Sequence, residues 1–284
     1  MHWSPFLKEA FVKMKAIPFK KMHGSGNDFI LIDNRQMLIS HENGPELARK
    51  LCKRGFGIGA DGLILIETSQ KADFKWHFLN ADGSLAEMCG NGGRCAARFA
   101  HLIGICSKEL SFETLAGIIK AYVDNDTVKL QLTKPKNIQT DIELKVNNDV
   151  FKADFVDTGV PHAVLFFQDL DEVDVVGLGR KIRYHRFFEP NGTNVNFVQV
   201  ESDKLIRVRT YERGVENETY ACGTGAAASV LMSGMRGLVS SPVEVITSGG
   251  ERLVVHFDLQ RLEEIYLEGK AVLVYSGITE EVFG

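Results

Sequence analysis

The sequence predicts an α+β fold with two domains, each a curved sheet wrapped around one helix. Its 284 residues suffice for about two domains. Short strand-like runs separated by turns fill both halves of the chain. In each half a Cys-Gly-x-Gly turn, at Cys89 and again at Cys222, opens a helix rich in small residues. Strands can pack closely against several sides of such a helix, which favours this architecture.

The composition is that of an ordinary globular protein. Hydrophobic residues make up 44% and charged residues 25%, and 33 basic against 37 acidic side chains leave a net charge of −4. These values exclude a largely disordered chain, a collagen-like repeat and a disulfide scaffold. No uncharged apolar run approaches the roughly 18 residues that a membrane-spanning helix needs. A mildly acidic chain is also unlike a nucleic-acid binder, so neither nucleic acid nor membrane is an expected partner.

The five cysteines indicate a reducing compartment and no metal site. An odd number cannot all pair, and no secretory signal is recognisable, so free thiols and a cytoplasmic location are expected. No Cys-x-x-Cys spacing or accompanying histidine cluster occurs, which argues against a zinc or iron–sulfur centre. Cys52, Cys95 and Cys106 lie in helix or strand patterns and are predicted to be core residues.

The first half is predicted to contain two helices among short strands. One helix is expected from Pro45 to Arg54, ended by Gly55, and another after the Cys89 turn, ended by Gly104. The predicted strands are 29–33, 63–66, 74–79, 110–114 and a longer strand-like run at 117–132. Residues 1–13 precede a second methionine and are interpreted as an extension outside the fold.

The second half repeats this plan around the helix that Cys222 opens. Its predicted strands are 154–157, 163–167, 194–200 and 205–210, with further strands towards the C-terminus. The polar stretch 134–148 is interpreted as the junction between the domains. The expected division is therefore 14–133 for the N-terminal domain and 134–270 for the C-terminal domain.

A cysteine at the start of a glycine-rich helix combines two chemical properties. The first turn exposes backbone N–H groups that lack intrahelical partners, and the helix dipole adds partial positive charge there. Glycines let a ligand approach those groups, so the turn can hold a carboxylate. The same surroundings stabilise a thiolate, which makes the cysteine an acid–base group. A single copy of the motif is better interpreted as a turn beside a buried cysteine.

Two copies of the motif indicate a more specific chemistry. With a pseudo-twofold relation between the halves, Cys89 and Cys222 can lie on opposite sides of one cleft. One thiol then removes a proton from a carbon while the other returns a proton to the opposite face, which inverts the stereocentre. Donors around the adjacent carboxylate stabilise the carbanion, so no cofactor is required.

Six motifs follow one another from about Lys20 onward. They are KMHGSGNDF (21–29), GIGADG (57–62), FLNADGSLAEMCGNGGRC (78–95), TGVPHAV (158–164), NVNFVQV (194–200) and YERGVENETYACGTGAA (211–227). Together they make the chain resemble the diaminopimelate epimerases, cofactor-independent enzymes that interconvert LL- and meso-2,6-diaminopimelate in lysine and cell-wall precursor synthesis. The resemblance implies two pseudo-symmetric domains, each a mixed β-sheet barrel around a central helix. It implies that a C-terminal strand, about 271–284, completes the first domain, and it leaves a homodimer open.

The resemblance also implies roles for the matching residues. Cys89 would be the proton donor and Cys222 the acceptor in one direction, with the roles exchanged in the other. His162 would orient or assist Cys89, and Glu212 would both bind the substrate and tune a thiol. A small amino acid is thus the implied substrate, held at its carboxylate by the two helix starts. The implied substrate-binding residues are Asn27, Asn80, Gly90, Asn91, Asn194, Glu212, Arg213, Gly223 and Thr224.

Two positions depart from the pattern of some family members. Gly62 stands where those members carry glutamine, and Val160 stands where they carry asparagine before the Pro-His pair. Both positions contact the distal end of the substrate in those members, so other groups must recognise that end here. The candidates for this recognition are Thr193, Arg183 and Arg186.

Several alternative functions remain open at this point. The nearest is a sister racemase or epimerase that acts on proline, hydroxyproline or glutamate. A cysteine hydrolase that pairs Cys89 with His162 leaves the second Cys-Gly-x-Gly turn unexplained. A thiol redox module would use Cys89 and Cys222 mainly to form a disulfide. The run GIGADG fits the G-x-G-x-x-G pattern of dinucleotide sites, but it follows a predicted helix and precedes a strand, which is the wrong order.

Overall fold

The computed structural model of the protein describes residues 16–279, and these form two compact units. The first unit holds the described residues up to Ile118 together with those from Val272 onward. The second unit is Ile119–Ala271. Many strands and few helices confirm the predicted α+β class. The expected extension, residues 1–13, lies outside the described residues.

Strands outnumber helices in both units. The strands are β1 (Ile17–Gly24), β2 (Asn27–Asp33), β3 (Gly62–Glu67), β4 (Phe74–Asn80), β5 (Glu109–Thr114), β6 (Gly117–Asp124), β7 (Thr127–Gln131), β8 (Lys136–Val146), β9 (Asp149–Asp157), β10 (Pro161–Phe166), β11 (Asn194–Ser202), β12 (Leu205–Glu212), β13 (Asn217–Thr219), β14 (Val243–Thr247), β15 (Arg252–His256), β16 (Tyr266–Lys270) and β17 (Val272–Thr279). The α-helices are α1 (Gly44–Cys52), α2 (Gly90–Leu102), α3 (Val175–Arg183) and α4 (Gly223–Met235). A 3-10 turn spans Arg186–Phe188. Across residues 16–279, no helix has the length and apolar character needed to cross a membrane.

The first unit is a mixed sheet that packs on α2. Strands β17, β1 and β2 pair antiparallel in that order, β2 pairs parallel with β3, and β3 pairs antiparallel with β4. Helix α2 lies against β1, β2 and β3. Small residues make this close approach possible, because a methyl group on Gly92 would already lie 3.3 Å from Ile64 and 3.4 Å from Phe29. The run of four aliphatic residues at 63–66 is fully buried in β3, as its sequence predicts.

The second unit is a mixed sheet that surrounds α4. Strands β8 to β12 pair in sequence order, with only the β10–β11 pair parallel, and β12 also pairs parallel with β14. The sheet then continues antiparallel through β15, β16, β7 and β6. Helix α4 contacts β9 to β12 and β14 to β16. Its residues 225–234 are all buried, so this helix is apolar on every face and central to its unit.

The polar stretch 134–148 is the predicted junction between the domains. Most of it is strand β8, which pairs with β9 inside the second unit. Ile142, Leu144 and Val146 point inward while the residues between them are exposed, which is the alternation of an edge strand. The two compact units meet along the chain at Ile118/Ile119, and β6 pairs with β7, which pairs with β16. The division of domains after residue 133 stays a prediction.

An ion pair between partly exposed Arg236 and buried Asp154 ties the end of α4 to β9. Arg236, the residue after the helix, donates from Nε and Nη2 to the two carboxylate oxygens of Asp154, both at 2.6 Å. The side chain of Asp154 is fully buried. Its Oδ1 also accepts from the backbone N–H of Asp141 at 3.0 Å, and the Asp141 carboxylate accepts from Arg236 at 3.0 Å. A cation at a helix C-terminus is favourable for the helix dipole as well.

Candidate active site

In the first unit, Cys89 is the residue that caps α2. Its backbone is extended, and its half-buried thiol accepts a hydrogen bond from the Gly92 N–H at 3.4 Å. The thiol also donates to Oδ1 of Asn27 at a sulfur–oxygen distance of 3.5 Å. The helix start is thus glycine-rich, as the sequence predicts, and its N–H groups lie beside the sulfur.

Two asparagines hold this helix start in place. Asn91 donates from Nδ2 to Oδ1 of Asn27 at 3.3 Å, and Asn27 donates from Nδ2 to the Asp61 carboxylate at 2.7 Å. Arg94, which is fully buried, donates to Oδ1 of Asn91 at 2.8 Å and to the Ser25 hydroxyl at 2.9 Å. The structure therefore brings the predicted residues Asn27, Cys89 and Asn91 together, with Gly90 between the last two.

Asn80 lies at the end of β4 and has a different partner. Its side-chain amide donates to the Ser84 hydroxyl at 3.0 Å, within the turn that follows the strand. That turn is closed by a backbone bond from the Asn80 N–H to the Ser84 carbonyl at 2.8 Å. The role of Asn80 in binding the substrate stays a prediction.

A compact cluster of charged side chains contacts Asn27 through Asp61. The Asp28 carboxylate accepts from Lys21 at 2.7 Å and from Arg54 at 2.6 and 3.1 Å, and Arg54 also bonds Asp61 at 2.8 Å. Burial acts to raise the pKa of Asp28, but the bonds from Arg54 and Lys21 outweigh it and lower that pKa to about 2. Sequence reasoning missed Asp61 as part of the site, although it stands inside the GIGADG motif.

In the second unit, Cys222 caps α4. Its sulfur lies 3.5 Å from the Thr224 hydroxyl, and the Thr224 carbonyl accepts from the Thr158 hydroxyl at 3.3 Å. A methyl group on Gly225 would lie 3.2 Å from the Cys222 sulfur and would clash with the Asn196 side chain. Glycine at this position is therefore required by close packing around the thiol. Gly223 and Thr224 form the first turn, and their role as a carboxylate cradle stays a prediction.

His162 lies in β10, is completely buried and stands opposite Asn194 of the neighbouring strand β11. Its Nδ1 lies 3.1 Å from Nδ2 of Asn196, whose amide also donates to the Ala163 carbonyl at 3.0 Å and accepts from the Thr210 hydroxyl at 3.0 Å. Burial lowers the pKa of His162 to about 3, and the charge of Arg213 acts in the same direction. The ring is thus neutral at physiological pH. Its predicted action on Cys89 stays a prediction, and Asn196 is a partner that sequence reasoning missed.

We expect His162 to make unfolding dependent on pH. In the unfolded chain it titrates near its ordinary value of about 6.5, whereas the folded form takes up a proton only near 3. The contribution is therefore fully present above about pH 6.5 and is lost as the pH falls towards 3, by roughly 1.4 kcal/mol per pH unit. Urea unfolding at pH 7 and pH 4.5 should show a smaller loss for His162→Asn than for the wild type. Equal losses would contradict this expectation.

Asn194 begins β11, and the pair Glu212–Arg213 stands at the end of the neighbouring strand β12. Asn194 is buried and donates to the Pro161 carbonyl at 3.0 Å, while its Oδ1 accepts from the backbone N–H of Arg213 at 2.8 Å. Glu212 accepts from the Thr219 hydroxyl at 2.9 Å, and burial raises the pKa of Glu212 against the opposing effect of that bond. Asn194 thus anchors the backbone at Arg213, a contact that the motifs alone do not reveal.

The two positions that depart from the family pattern, Gly62 and Val160, have different structural surroundings. Gly62 is buried, and a methyl group there would lie 2.7 Å from the Phe78 ring and 2.8 Å from the Leu79 carbonyl. A side chain at this position would require the strand or the ring to move, so packing accounts for the glycine. Val160 is half-buried, and its carbonyl accepts from the Thr158 N–H at 3.1 Å.

The three candidates for distal recognition are differently placed. Arg183 donates from Nε to Glu216 at 3.2 Å and from Nη1 to the Asn191 carbonyl at 3.4 Å. The Thr193 hydroxyl is buried and donates to the Asn194 carbonyl at 2.9 Å. Arg186 is exposed in the 3-10 turn. Their part in recognising the substrate stays a prediction.

The remaining cysteines are set apart from the two caps by their surroundings. Cys52 and Cys95 are buried, which confirms the prediction, and burial raises the pKa of each thiol to about 12. Cys106 is only half-buried, so its prediction as a core residue is wrong. It lies in the loop after α2, beyond the positive-φ turn at Gly104 that ends the helix. Burial still raises the pKa of Cys106 to about 11.

Comparison with known proteins identifies the family. The family model described as diaminopimelate epimerase matches residues 19–138 and 155–274. The diaminopimelate epimerase of Aquifex aeolicus is 49% identical over 93% of this chain and 98% of its own length. That of Archaeoglobus fulgidus is 43% identical over 92% of this chain and 96% of its own length.

Solved structures support the fold. The hydroxyproline epimerase of Agrobacterium vitis, with bound trans-4-hydroxy-L-proline, covers 93% of this chain and 91% of its own with a TM-score of 0.68. A probable proline racemase from Agrobacterium radiobacter covers 94% and 93%, with a TM-score of 0.67. At 17% and 16% identity, these likenesses concern the fold alone. The motifs, the two capping cysteines and the near-full-length relatives together show that this chain belongs to the diaminopimelate epimerase family.

Proposed function

We propose that the protein interconverts LL- and meso-2,6-diaminopimelate, with Cys89 and Cys222 as its two acid–base groups. The chain is an amino-acid epimerase by family. The observation that carries the mechanism is that a cysteine caps a glycine-rich helix in each unit. One thiolate removes the α-proton, and the other thiol delivers a proton to the opposite face of the same carbon.

The helix starts supply the stabilisation that a carbanion requires. Removing the α-proton places negative charge on the adjacent carboxylate, which is best stabilised by fixed donors. The first turns at Gly90–Asn91 and Gly223–Thr224 carry backbone N–H groups and the positive end of a helix dipole. This reasoning requires no cofactor, and the absence of one stays a prediction.

The other residues bind and orient the substrate in this proposal. Glu212, and Arg213 with its backbone N–H bonded to Asn194, pair with the substrate's amino and carboxyl groups. Neutral His162 contributes hydrogen bonding rather than charge. We also propose a cytoplasmic location, because the thiols must remain reduced to act. A homodimer remains a prediction.

Deuterium incorporation tests the two-base reaction directly. In ²H₂O the meso product formed early from LL-diaminopimelate should carry deuterium at the inverted carbon, because the second thiol exchanges with solvent. The remaining LL substrate should retain protium, because the first thiolate returns only the proton it removed. Early deuterium in the substrate as well as the product would contradict two separate bases. NMR or mass spectrometry of both isomers distinguishes these outcomes.

The same assay decides between the family function and its nearest alternative. We expect exchange with diaminopimelate and none above background with glutamate, proline or 4-hydroxyproline. Exchange with proline or glutamate but not with diaminopimelate would show that the chain is a sister racemase on a shared fold. The assay needs no assumption about which groups recognise the distal end of the substrate.

A further inference from the structure

The side chains around Cys89 form a hydrogen-bonded chain with a fixed direction. At one end the Asp61 carboxylate accepts from Nδ2 of Asn27 at 2.7 Å. At the other end the Arg94 guanidinium donates to Oδ1 of Asn91 at 2.8 Å. An ionised carboxylate can only accept and a guanidinium can only donate. These two ends therefore determine which way both amides between them point.

The direction of the chain presents an acceptor to the thiol. Asn27 must turn its Nδ2 to Asp61, so its Oδ1 faces Asn91 and Cys89. An amide oxygen accepts a hydrogen bond from S–H but gives none to a thiolate, so it favours the protonated thiol. The Gly92 N–H, which donates to the same sulfur at 3.4 Å, favours the thiolate. The two bonds oppose each other, and Asp61 controls the first.

We propose that Asp61 is a positioning residue that keeps Cys89 protonated in the resting enzyme, by fixing the orientation of the Asn27 amide. Cys89 is thereby prepared as the acid of the pair. The contact at Cys222 differs in kind, because the Thr224 hydroxyl at 3.5 Å can either donate or accept. The inference rests on the proposed two-thiol function but concerns the protonation of one thiol, which is measurable without turnover.

Asp61 is held for this role by its own contacts. Its carboxylate also accepts from the Asp28 backbone N–H at 3.1 Å and from Arg54 at 2.8 Å. Its backbone N–H donates to the Asp28 carbonyl at 2.9 Å and to the Asp28 carboxylate at 3.0 Å. The acceptor that faces Asn27 is thus anchored at both its side chain and its backbone.

Alkylation of Cys89 as a function of pH tests the proposal. The full-length chain carrying Cys222→Ala is treated with iodoacetamide, and the rate for the Cys89 peptide is followed by mass spectrometry. We expect Asp61→Ala to lower the pH of half-maximal rate by about 0.5–1 unit, the size of one hydrogen bond. Asn27→Ala, which removes the acceptor itself, should cause a shift in the same direction. Cys106 in the same digests serves as an internal reference.

A variant with the same loss of charge as Asp61→Ala, but with the size of aspartate, separates the orientation of the amide from simple electrostatics. Asp61→Asn removes the negative charge but retains a carbonyl oxygen that can accept from Asn27. We expect its half-maximal pH to stay within about 0.2 unit of the parent, well under the effect of one hydrogen bond. Equal shifts in Asp61→Asn and Asp61→Ala would overturn the proposal, because charge alone would explain them. An unshifted Asn27→Ala would overturn it too, even if Asp61→Ala failed to fold.

Failure of this inference is distinguishable from failure of the proposed function. Deuterium exchange at the substrate reports the two-base reaction, whereas the alkylation profile reports the proton on Cys89. If the protein exchanges the substrate proton but Asn27→Ala leaves the alkylation profile of Cys89 unchanged, the proposed function stands and this inference fails. A responsive profile in a chain that exchanges no diaminopimelate proton would do the reverse.

Discussion

Replacing Cys222 with serine lowers kcat for the epimerisation of LL-diaminopimelate by at least about 10²–10⁴-fold, and Cys89→Ser does the same. Serine is close to cysteine in size, so the helix caps are retained, but its hydroxyl is far too weak an acid to exchange the proton. Inversion requires a proton to leave one face and arrive at the other, so neither thiol can replace the other. Conversion to the meso isomer, followed by chiral chromatography, measures the effect.

The matched control for these variants is Cys106→Ser. Cys106 is a half-buried thiol outside both helix caps, and we expect this variant to keep its activity within about twofold, as for most substitutions away from special features. Near-normal turnover in either capping variant would refute the two-base reaction. Far-UV circular dichroism of all three proteins separates a loss of chemistry from a loss of fold.

Arg236→Met should reduce the free energy of unfolding by about 3–5 kcal/mol. The substitution removes both bonds to the fully buried Asp154 carboxylate and leaves a charge in the interior of the second unit. It also removes a cation from the C-terminal end of α4. Urea unfolding followed by circular dichroism gives the difference in free energy.

An exposed ion pair provides the comparison for Arg236. Arg252 pairs with Glu244 on neighbouring strands, and its side chain is 65% exposed. We expect Arg252→Met to cost under about 1 kcal/mol, because water solvates and screens both groups. The double variant Arg236→Met/Asp154→Asn should recover part of the loss, since it no longer buries a charge. Similar losses for the two arginines would show that burial of Asp154 is not the cause.

Elements with one dominant signal could be predicted from the sequence. The aliphatic run in β3 and the two glycine-opened helices are examples, because burial on both faces or on all sides leaves few polar positions. Strand β8 and helix α3 could not be predicted in the same way. In β8 three inward residues are spread among polar ones, and α3 contains two glycines yet begins with a cap, where Asp174 accepts from the Gly177 N–H at 2.8 Å.

The candidate site likewise contains some residues that could be predicted from the sequence and others that could not. Cys89 and Cys222 are visible in the sequence because they stand in a repeated Cys-Gly-x-Gly motif. Asp61 and Asn196 are not, because each contacts a candidate residue, Asn27 or His162, and the pairing of side chains from separate strands depends on register. Both residues do stand within the motifs GIGADG and NVNFVQV, which is the only sequence signal of their position.

Strands on several sides of α4 leave its backbone amides little access to solvent while the second unit remains closed. Amides in such a segment exchange their hydrogens through global opening rather than through local fluctuation. Cys222 precedes that helix, and its half-buried first turn is continuous with the buried segment 225–234. The conformational entropy of this turn was therefore lost when the chain folded, and a substrate that binds there does not have to supply it.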